Sequence, residues 1–469
     1  MTSAAASAIP ANGIANSLAE FAANLHYEDI PESVRTRAKH LVLDSVGIAH
    51  ASGTYHFASV AMAAAQALSE SGDSPVIGSS KKLSLRDAAL VNGILCHGLD
   101  FDDTHSAGVI HATTSTFPCA LATAGHVNAS GKDMLIAYII GVEAAARLGM
   151  VVKGGLHQIG FHPTGVMGSF GCSLVAGRLL GLNEKQLTMA QGIVLSMAAG
   201  SLEFLEDGAW TKRMHPGWAA VSGITAAFLA KEGYVGASRP YEGRFGLFNA
   251  YLSHPEYNAA SDLSLATAGL RETWEIENVA IKPFPACHFT HGCIDAALGL
   301  IRENEIRADD IKRVRALVPQ EVVKTVCEPV TNKRRPQNEY DAEFSIPFLV
   351  SAAITRGKFT LAELTDDSLQ DPEILSLADR VDYEIDHDSG FPKYYSGEVV
   401  VEMNDGSEIR QREAINRGNS DRPISNEEII EKFVGNIEIA NGATDRVRDA
   451  ILSMDTANNA RDVAGQISS

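Results

Sequence analysis

The sequence predicts a mainly α-helical protein carrying an α+β insertion, that is, a large all-helical domain plus a smaller α+β domain. Three changes of texture carry that reading. Alanine-rich segments with helical spacing occupy residues 13 to about 265. Alternation of period two begins near residue 275 and continues to about 412. Helical spacing returns after Pro423, and these last stretches are expected to rejoin the first domain. At 469 residues the chain exceeds a typical single domain. The boundaries are placed at 1–272, 273–415 and 416–469.

Pro31 suits a helix start, and Val34, Ala38, Leu41, Val42 and Val46 follow on one face. Further helices are predicted over 57–70, 86–98, 117–128, 132–149, 164–181, 184–201 and 216–232. Turn residues separate them at 71–74 and 128–131. No fixed period recurs, so short connections imply a compact bundle and not a repeat array. Glu143 and Arg147 stand four apart and can pair on one helix face. In the insertion, Trp274–Lys282 and Lys312–Pro319 read as strands, while Phe289–Arg302 and 341–356 read as helices. Arg380–Asp386 reads as a strand, and Glu398–Met403 with Ser407–Arg412 forms a hairpin about Asn404-Asp-Gly406. Ser425-Asn-Glu-Glu428 fits a capping box. The final dozen residues are polar and are expected to fray.

Composition narrows the function. A net charge of −19 leaves no basic stripe for phosphates, so no nucleic-acid partner is expected. A small anion stays compatible, because a pocket can be locally positive. Six cysteines without a C-x-x-C pair predict reduced thiols, no structural zinc and a cytoplasmic setting. Met1–Pro10 has neither a basic start nor a long apolar run, so secretion is not expected. The most apolar stretch, Met134–Met150, is under 18 residues and carries Glu143 and Arg147, which argues against a membrane span.

Four clusters carry chemistry. The first is His97-Gly-Leu-Asp100-Phe-Asp102-Asp103-Thr104-His105, followed by His111. Burying six such groups unpaired is costly, so together they read as the wet wall of a cavity. They suit either Mg²⁺, Mn²⁺ or Fe²⁺, or metal-free acid/base catalysis. The second runs from Gly160 to Gly171 and holds His162 just before a helix start, where amide donors favour an anion. Its glycines at 165, 168 and 171 read as close helix contacts more readily than as a phosphate loop. The third, Trp210–Trp218, concentrates Lys212, Arg213 and His215 in an acidic chain. The fourth, Lys282–His291, lies at a strand-to-helix turn, where Thr290 can cap the helix and His291 can pair with Asp295. Cys287 beside His288 also allows a thiol nucleophile there.

The order Leu-Asp-Phe-Asp-Asp-Thr plus a following His, then F-H-P-T, then T-K-x-x-H-x-G, then K-x-F-P-x-C-x-x-T-H resembles the MmgE/PrpD family end to end. That family includes methylcitrate dehydratases, cis-aconitate decarboxylase and iminodisuccinate epimerase. The resemblance implies an α+β lid domain inserted into the helical domain, a site in the cleft between them, and a homodimer through the helical domain. It matches Asp100 and Thr104 to the first motif, His111 to its downstream histidine, and His162 to the F-H-P histidine. Lys212 and His215 match the third motif. Lys282, Cys287, His288 and His291 match the lid's contribution. Two positions depart from the decarboxylase: Cys287 stands where it carries a histidine, and Val322 or Val323 where its lid tyrosine falls.

These matches imply a scheme in which Lys212, Lys282 and Arg213 hold substrate carboxylates. Asp100 orients an imidazole, and His111 and His162 form the acid/base pair. Thr104, His215 and the Cys287–His291 turn contact substrate, while Asp102, Asp103, His97 and His105 hold the others in place. No cofactor or metal is required. The expected activity is a metal-independent dehydratase-type lyase on a small di- or tricarboxylate such as 2-methylcitrate. The alternatives are epimerisation of a substituted succinate or cis-aconitate-type decarboxylation. A metal enzyme built on Asp100, Asp102 and Asp103, or a non-catalytic binding protein, are readings of other classes.

Overall fold

Alanine and glycine at the helix crossings set how closely the first region packs. The structure, a computed structural model, describes residues 12–69, 71–304 and 306–468. The Met1–Pro10 stretch, where no leader is expected, lies outside them. Numbering helices of eight residues or more, the first region holds α1 (Ile14–Asn24), α2 (Glu32–Ser52), α3 (His56–Leu68), α4 (Leu85–Cys96) and α5 (Thr113–Val127). It continues with α6 (Gly131–Val151), α7 (Pro163–Leu179), α8 (Glu184–Val194) and α9 (Thr211–Lys231). Helices α4 and α9 cross so closely that a Cβ on Gly93 would lie 2.4 Å from the Gly217 Cα. Gly165, Gly168 and Gly171 act as expected, abutting Ala199, Ser115 and Gly141. Helix α6 is long and apolar enough to cross a membrane, but it is the core of this bundle, its most apolar window being 94% buried. On it Arg147 Nε donates to Glu143 at 3.1 Å, the predicted pair.

The second region is a four-stranded sheet in the order β6-β5-β7-β8, with β5 (Ile311–Val318), β6 (Val381–Ile385), β7 (Gly397–Met403) and β8 (Glu408–Glu413). Strands β5 and β6 run parallel, and the other neighbours are antiparallel. The predicted hairpin is β7–β8. Helices α10 (His291–Glu303) and α11 (Ile346–Arg356) pack against the sheet. Small two-stranded pairs join β1 (Ser74–Val76) to β2 (Ser79–Leu83) and β3 (Thr104–His105) to β4 (Val279–Ala280). Helix α12 (Asn426–Ile439) opens with the predicted capping box, and α13 (Thr444–Leu452) and α14 (Ala460–Ile467) follow.

Several elements differ from expectation. Trp274–Lys282 is a 3₁₀ turn over Glu275–Asn278 with only Val279–Ala280 extended. Its apolar residues Trp274, Ile276, Val279 and Ile281 fill the helical core, so the alternation reflects burial in a bundle and not a sheet. The 341–356 helix is interrupted at Ser345, whose side chain caps α11. Helix α8 stops at Val194, seven residues early. Helix α9 begins at Thr211, five residues before the proline that read as its start. The stretch through Ile467 is tied down and not frayed: Ile467 is fully buried, and its carbonyl accepts from the Gly78 N–H at 3.0 Å.

Two apolar cores result. One spans the helical region and takes in Ile424 through Ile467 of the returning chain. The other gathers Phe284 through Val401 and reaches back to Val109, Leu202 and Phe204 of the helical region. The chain passes from one to the other between Ile281 and Phe284, at Lys282.

Candidate active site

Helix α4 ends at Cys96, and the chain turns sharply through Gly98–Asp103. Asp100 holds φ +43°, a left-handed conformation that costs a non-glycine residue about 1–3 kcal/mol unless its surroundings enforce it. Three cations from three distant elements do so. Arg213 Nε donates to the Gly98 carbonyl, Lys282 Nζ to that of Asp100 and Lys432 Nζ to that of Phe101, each at 2.7 Å.

The Asp100 carboxylate sits between two ammonium groups. Its Oδ1 accepts from Lys212 Nζ at 2.5 Å and Lys282 Nζ at 2.9 Å, while Oδ2 is buried without a partner. Burial opposes ionisation of Asp100, yet Lys212 and Lys282 overcome it and hold the carboxyl well below its usual range. For Lys282 burial disfavours the charge, and Asp100 more than restores it. Asp100 therefore orients lysines and no imidazole, which corrects the expected role. The carboxylate on the imidazoles is Asp102, 2.9 Å from His97 Nδ1 and 3.2 Å from His111 Nδ1. Burial pushes the Asp102 carboxyl up, but His97 and His111 bring it well below its usual value.

His111 is fixed from several sides. Its backbone N–H donates to Thr164 Oγ1 at 3.0 Å, and Nδ1 lies 2.7 Å from the Asp103 carbonyl and 3.3 Å from Thr104 Oγ1. A carbonyl only accepts, so Nδ1 carries the proton and Nε2 is left for the cavity. Asp103 itself is buried and accepts from Thr113; burial raises its carboxyl to about 7. His162 is the N-cap of α7, with Pro163 at the first helical position, as its place before a helix start predicted. Its Nδ1 is 3.0 Å from His215 Nδ1. Burial lowers both rings, His215 to about 4, so the pair is neutral at neutral pH. The early start of α9 matters here: it sets Lys212 and His215 three apart on one face, over Asp100 and His162 respectively.

Part of this set lines a small cavity between the two cores. The helical region contributes Asp100, Thr104, His111, His157, His162 and Lys212, with Val109, Leu202 and Phe204 as apolar wall. Lys282, Cys287, His288, Phe289, Thr325, Phe344 and Tyr395 complete it. Burial pushes the Cys287 thiol to about 11, which removes the thiolate that a nucleophile needs. His288 Nε2 accepts from the Asn416 side chain at 2.8 Å.

Three predicted site residues do not face the cavity. Arg213 is sealed between the Phe57 and Tyr340 rings, with Gly98 and Glu339 as its partners, so it cannot hold a substrate. His291 bonds the Ala286 carbonyl at 3.0 Å, and Asp295 pairs with Arg417, so the expected His291–Asp295 pair is not made. His215 stands behind His162. Thr290 does not cap α10; its hydroxyl donates to the Cys287 carbonyl. Among the lining residues that were missed, two are ionisable. His157 lies in a four-residue helical turn, and Tyr395 donates to the Ser106 carbonyl at 2.9 Å. Neither lies in one of the four clusters that stand out in the sequence, so only the fold brings them in.

Residues 16–260 match the MmgE/PrpD N-terminal domain and residues 284–456 the MmgE/PrpD C-terminal domain. A cis-aconitate decarboxylase-like protein, oryM, of Aspergillus oryzae is 26% identical, the match covering 98% of each chain. The cis-aconitate decarboxylase of Aspergillus terreus is 27% identical over 97% of this chain and 96% of its own. That of Homo sapiens is 28% identical over 87% of this chain and 84% of its own. The two matched domains meet at residues 261–283, where the chain passes between the cores and Lys282 enters the cavity; the protein belongs to the MmgE/PrpD family.

Proposed function

We propose that this protein is an enzyme acting on a small carboxylate, and that its reaction is decarboxylation of an unsaturated tricarboxylate of the cis-aconitate kind. The observation that carries the reading is the pair of buried ammonium groups, Lys212 and Lys282, sharing one oxygen of Asp100 at the wall of the cavity. Their remaining hydrogens are free to take substrate carboxylates in a water-poor space, where such bonds are strong. The decarboxylases that align along nearly the whole chain support the choice of this reaction over the dehydration expected from sequence.

The chemistry needs one proton and no redox partner. The bond to the leaving carboxylate breaks as CO₂ departs, and its electron pair forms a new carbon–carbon double bond. The former double bond moves its pair onto the next carbon, which must be protonated. His111, as imidazolium, delivers that proton from Nε2, and solvent returns one afterwards. Asp102 behind Nδ1 balances the ring's charge. Neutral His162, beside His111 on the same wall, orients the substrate.

Dehydration of a hydroxylated tricarboxylate such as 2-methylcitrate is the second reading, compatible with the same family and the same carboxylate-binding lysines. One assay separates the two: each substrate is incubated with enzyme in D₂O and followed by NMR. Release of CO₂ from cis-aconitate with one deuterium in the product supports the proposal. Loss of water from 2-methylcitrate, with no CO₂ from cis-aconitate, replaces it with the second reading. No turnover across a carboxylate panel overturns both.

Self-association through the helical region belongs to the same proposal. Trp210, Met214, Trp218 and Leu229 of the α9 segment are 37–44% exposed and form one apolar stripe. Light scattering that gives a monomer at micromolar concentration would remove this part.

A further inference from the structure

His97 is a buried group beside the cavity that the proposed proton transfer leaves unused. It is 1% exposed, its Nδ1 is taken by Asp102 at 2.9 Å, and its Nε2 has no partner. An imidazole nitrogen left unpaired in the interior is costly, which makes it a place to look for a ligand.

The ring faces two other histidines. Centroids of His97, His111 and His162 form a triangle with sides of 4.9, 5.6 and 6.0 Å. One nitrogen from each lies within 4.8 Å of the other two. Three imidazoles on a tetrahedral ion at Zn–N of about 2.05 Å place their centroids roughly 5 Å apart and their nitrogens about 3.3 Å apart. The centroid spacings are near those of such a site, and rotation of the side chains, chiefly of the His97 and His162 rings that stand 16° from parallel, is needed to bring the nitrogens in. Each ring is also held from behind, as metal-ligating histidines are. Asp102 backs His97 and His111, the Asp103 carbonyl backs His111, and His215 backs His162. The nearby cations Lys212 and Lys282 are each paired with Asp100, and Asp102 supplies negative charge next to His97 and His111.

We propose that His97, His111 and His162 form a three-histidine site for a divalent transition ion of the zinc type, and that the bound ion competes with substrate. The fourth position opens to the cavity and takes water or an added carboxylate. The competition half rests on the proposed function, because it assumes that His111 and His162 serve the substrate. The binding half stands without it.

The test uses Co²⁺ as a spectroscopic stand-in, read by visible absorption and by calorimetric stoichiometry, with no substrate present. One Co²⁺ per chain with the intense bands of tetrahedral coordination, displaced by Zn²⁺ and abolished in His97→Gln and His162→Gln, is the expected result. Both variants are first checked by circular dichroism. If His97→Gln fails to fold, His162→Gln and His111→Gln decide. Absent bands, a weak octahedral spectrum, or bands that persist in the folded variants overturn the site. If binding is found, Zn²⁺ should raise the apparent KM of whichever carboxylate is turned over without lowering kcat, with EDTA reversing it. Noncompetitive inhibition, or stimulation, overturns the competition half alone.

Discussion

Lys432 reaches from the returning helix α12 to the turn that carries Asp100. Its Nζ donates to the Phe101 carbonyl at 2.7 Å, pairs with Asp44 Oδ1 at 2.7 Å and lies 3.8 Å above the Phe101 ring. The end of the chain thus helps enforce the left-handed backbone at Asp100. Burial raises the Asp44 carboxyl, and Lys432 is the main group opposing that shift. Lys432→Met strands Asp44, and breaking a buried pair costs about 3–5 kcal/mol. The expected outcome is a clearly lowered Tm and a kcat loss larger than the change in KM. The double variant Asp44→Asn with Lys432→Met should regain stability but not kcat. Full recovery of both would limit Lys432 to a purely structural role.

Asp100→Asn leaves Lys212 and Lys282 without their shared counter-charge. The same penalty of about 3–5 kcal/mol is expected in denaturant unfolding, because among the described residues Asp100 is the carboxylate paired with both lysines. Turnover should fall steeply. Added tricarboxylate should stabilise this variant more than it stabilises the native protein, since the anion replaces the lost charge. A thermal-shift series checks this, and equal shifts in both proteins would count against the two lysines as the anion site.

His111→Gln removes the proton donor while keeping a side chain that can bond the Asp103 carbonyl. A loss of roughly 10²–10⁴-fold in kcat is expected, with deuterium incorporation slowed in step. His162→Ala should cost substrate orientation as well. If it retained most activity on the right substrate, His162 would leave the site.

Stability should fall on acidification. Burial holds His50, His97, His157 and His215 near 4 in the folded protein, against 6.5 unfolded. The unfolded chain then binds more protons between those values, so stability is full above 6.5 and is lost as pH drops toward 4. Asp103 has the opposite sign: raised to about 7, its contribution is full below 3.8 and is lost as pH rises through 7. His162, His288 and His291 are also held well below their usual range by burial, against Asp103 and Glu343 held above theirs. This balance predicts a lower Tm at pH 5 than at pH 7. Asp103→Asn should cost less stability at pH 8 than at pH 5, read from unfolding curves at the two values.

The sequence by itself determined the helical and sheet regions and the identity of most polar cavity residues. Those follow from local causes: alanine spacing, the Asn404-Asp-Gly406 turn, the Ser425 cap, and ionisable groups too dense to be packing. It misread elements where burial on all sides mimicked a strand at Trp274–Lys282, and where Pro216 imitated a helix start. Tertiary structure alone decided the division of labour among the charges. Which carboxylate meets the lysines and which the histidines depends on the backbone reversal at Asp100. That reversal is imposed by Arg213, Lys282 and Lys432, which lie 115, 182 and 331 residues away from the carbonyls they hold. Long-range donors of this kind leave no periodicity in the chain. The same reason hid His157 and Tyr395, hid the partnerless Nε2 of His97, and turned Arg213 and His291 from substrate contacts into supports.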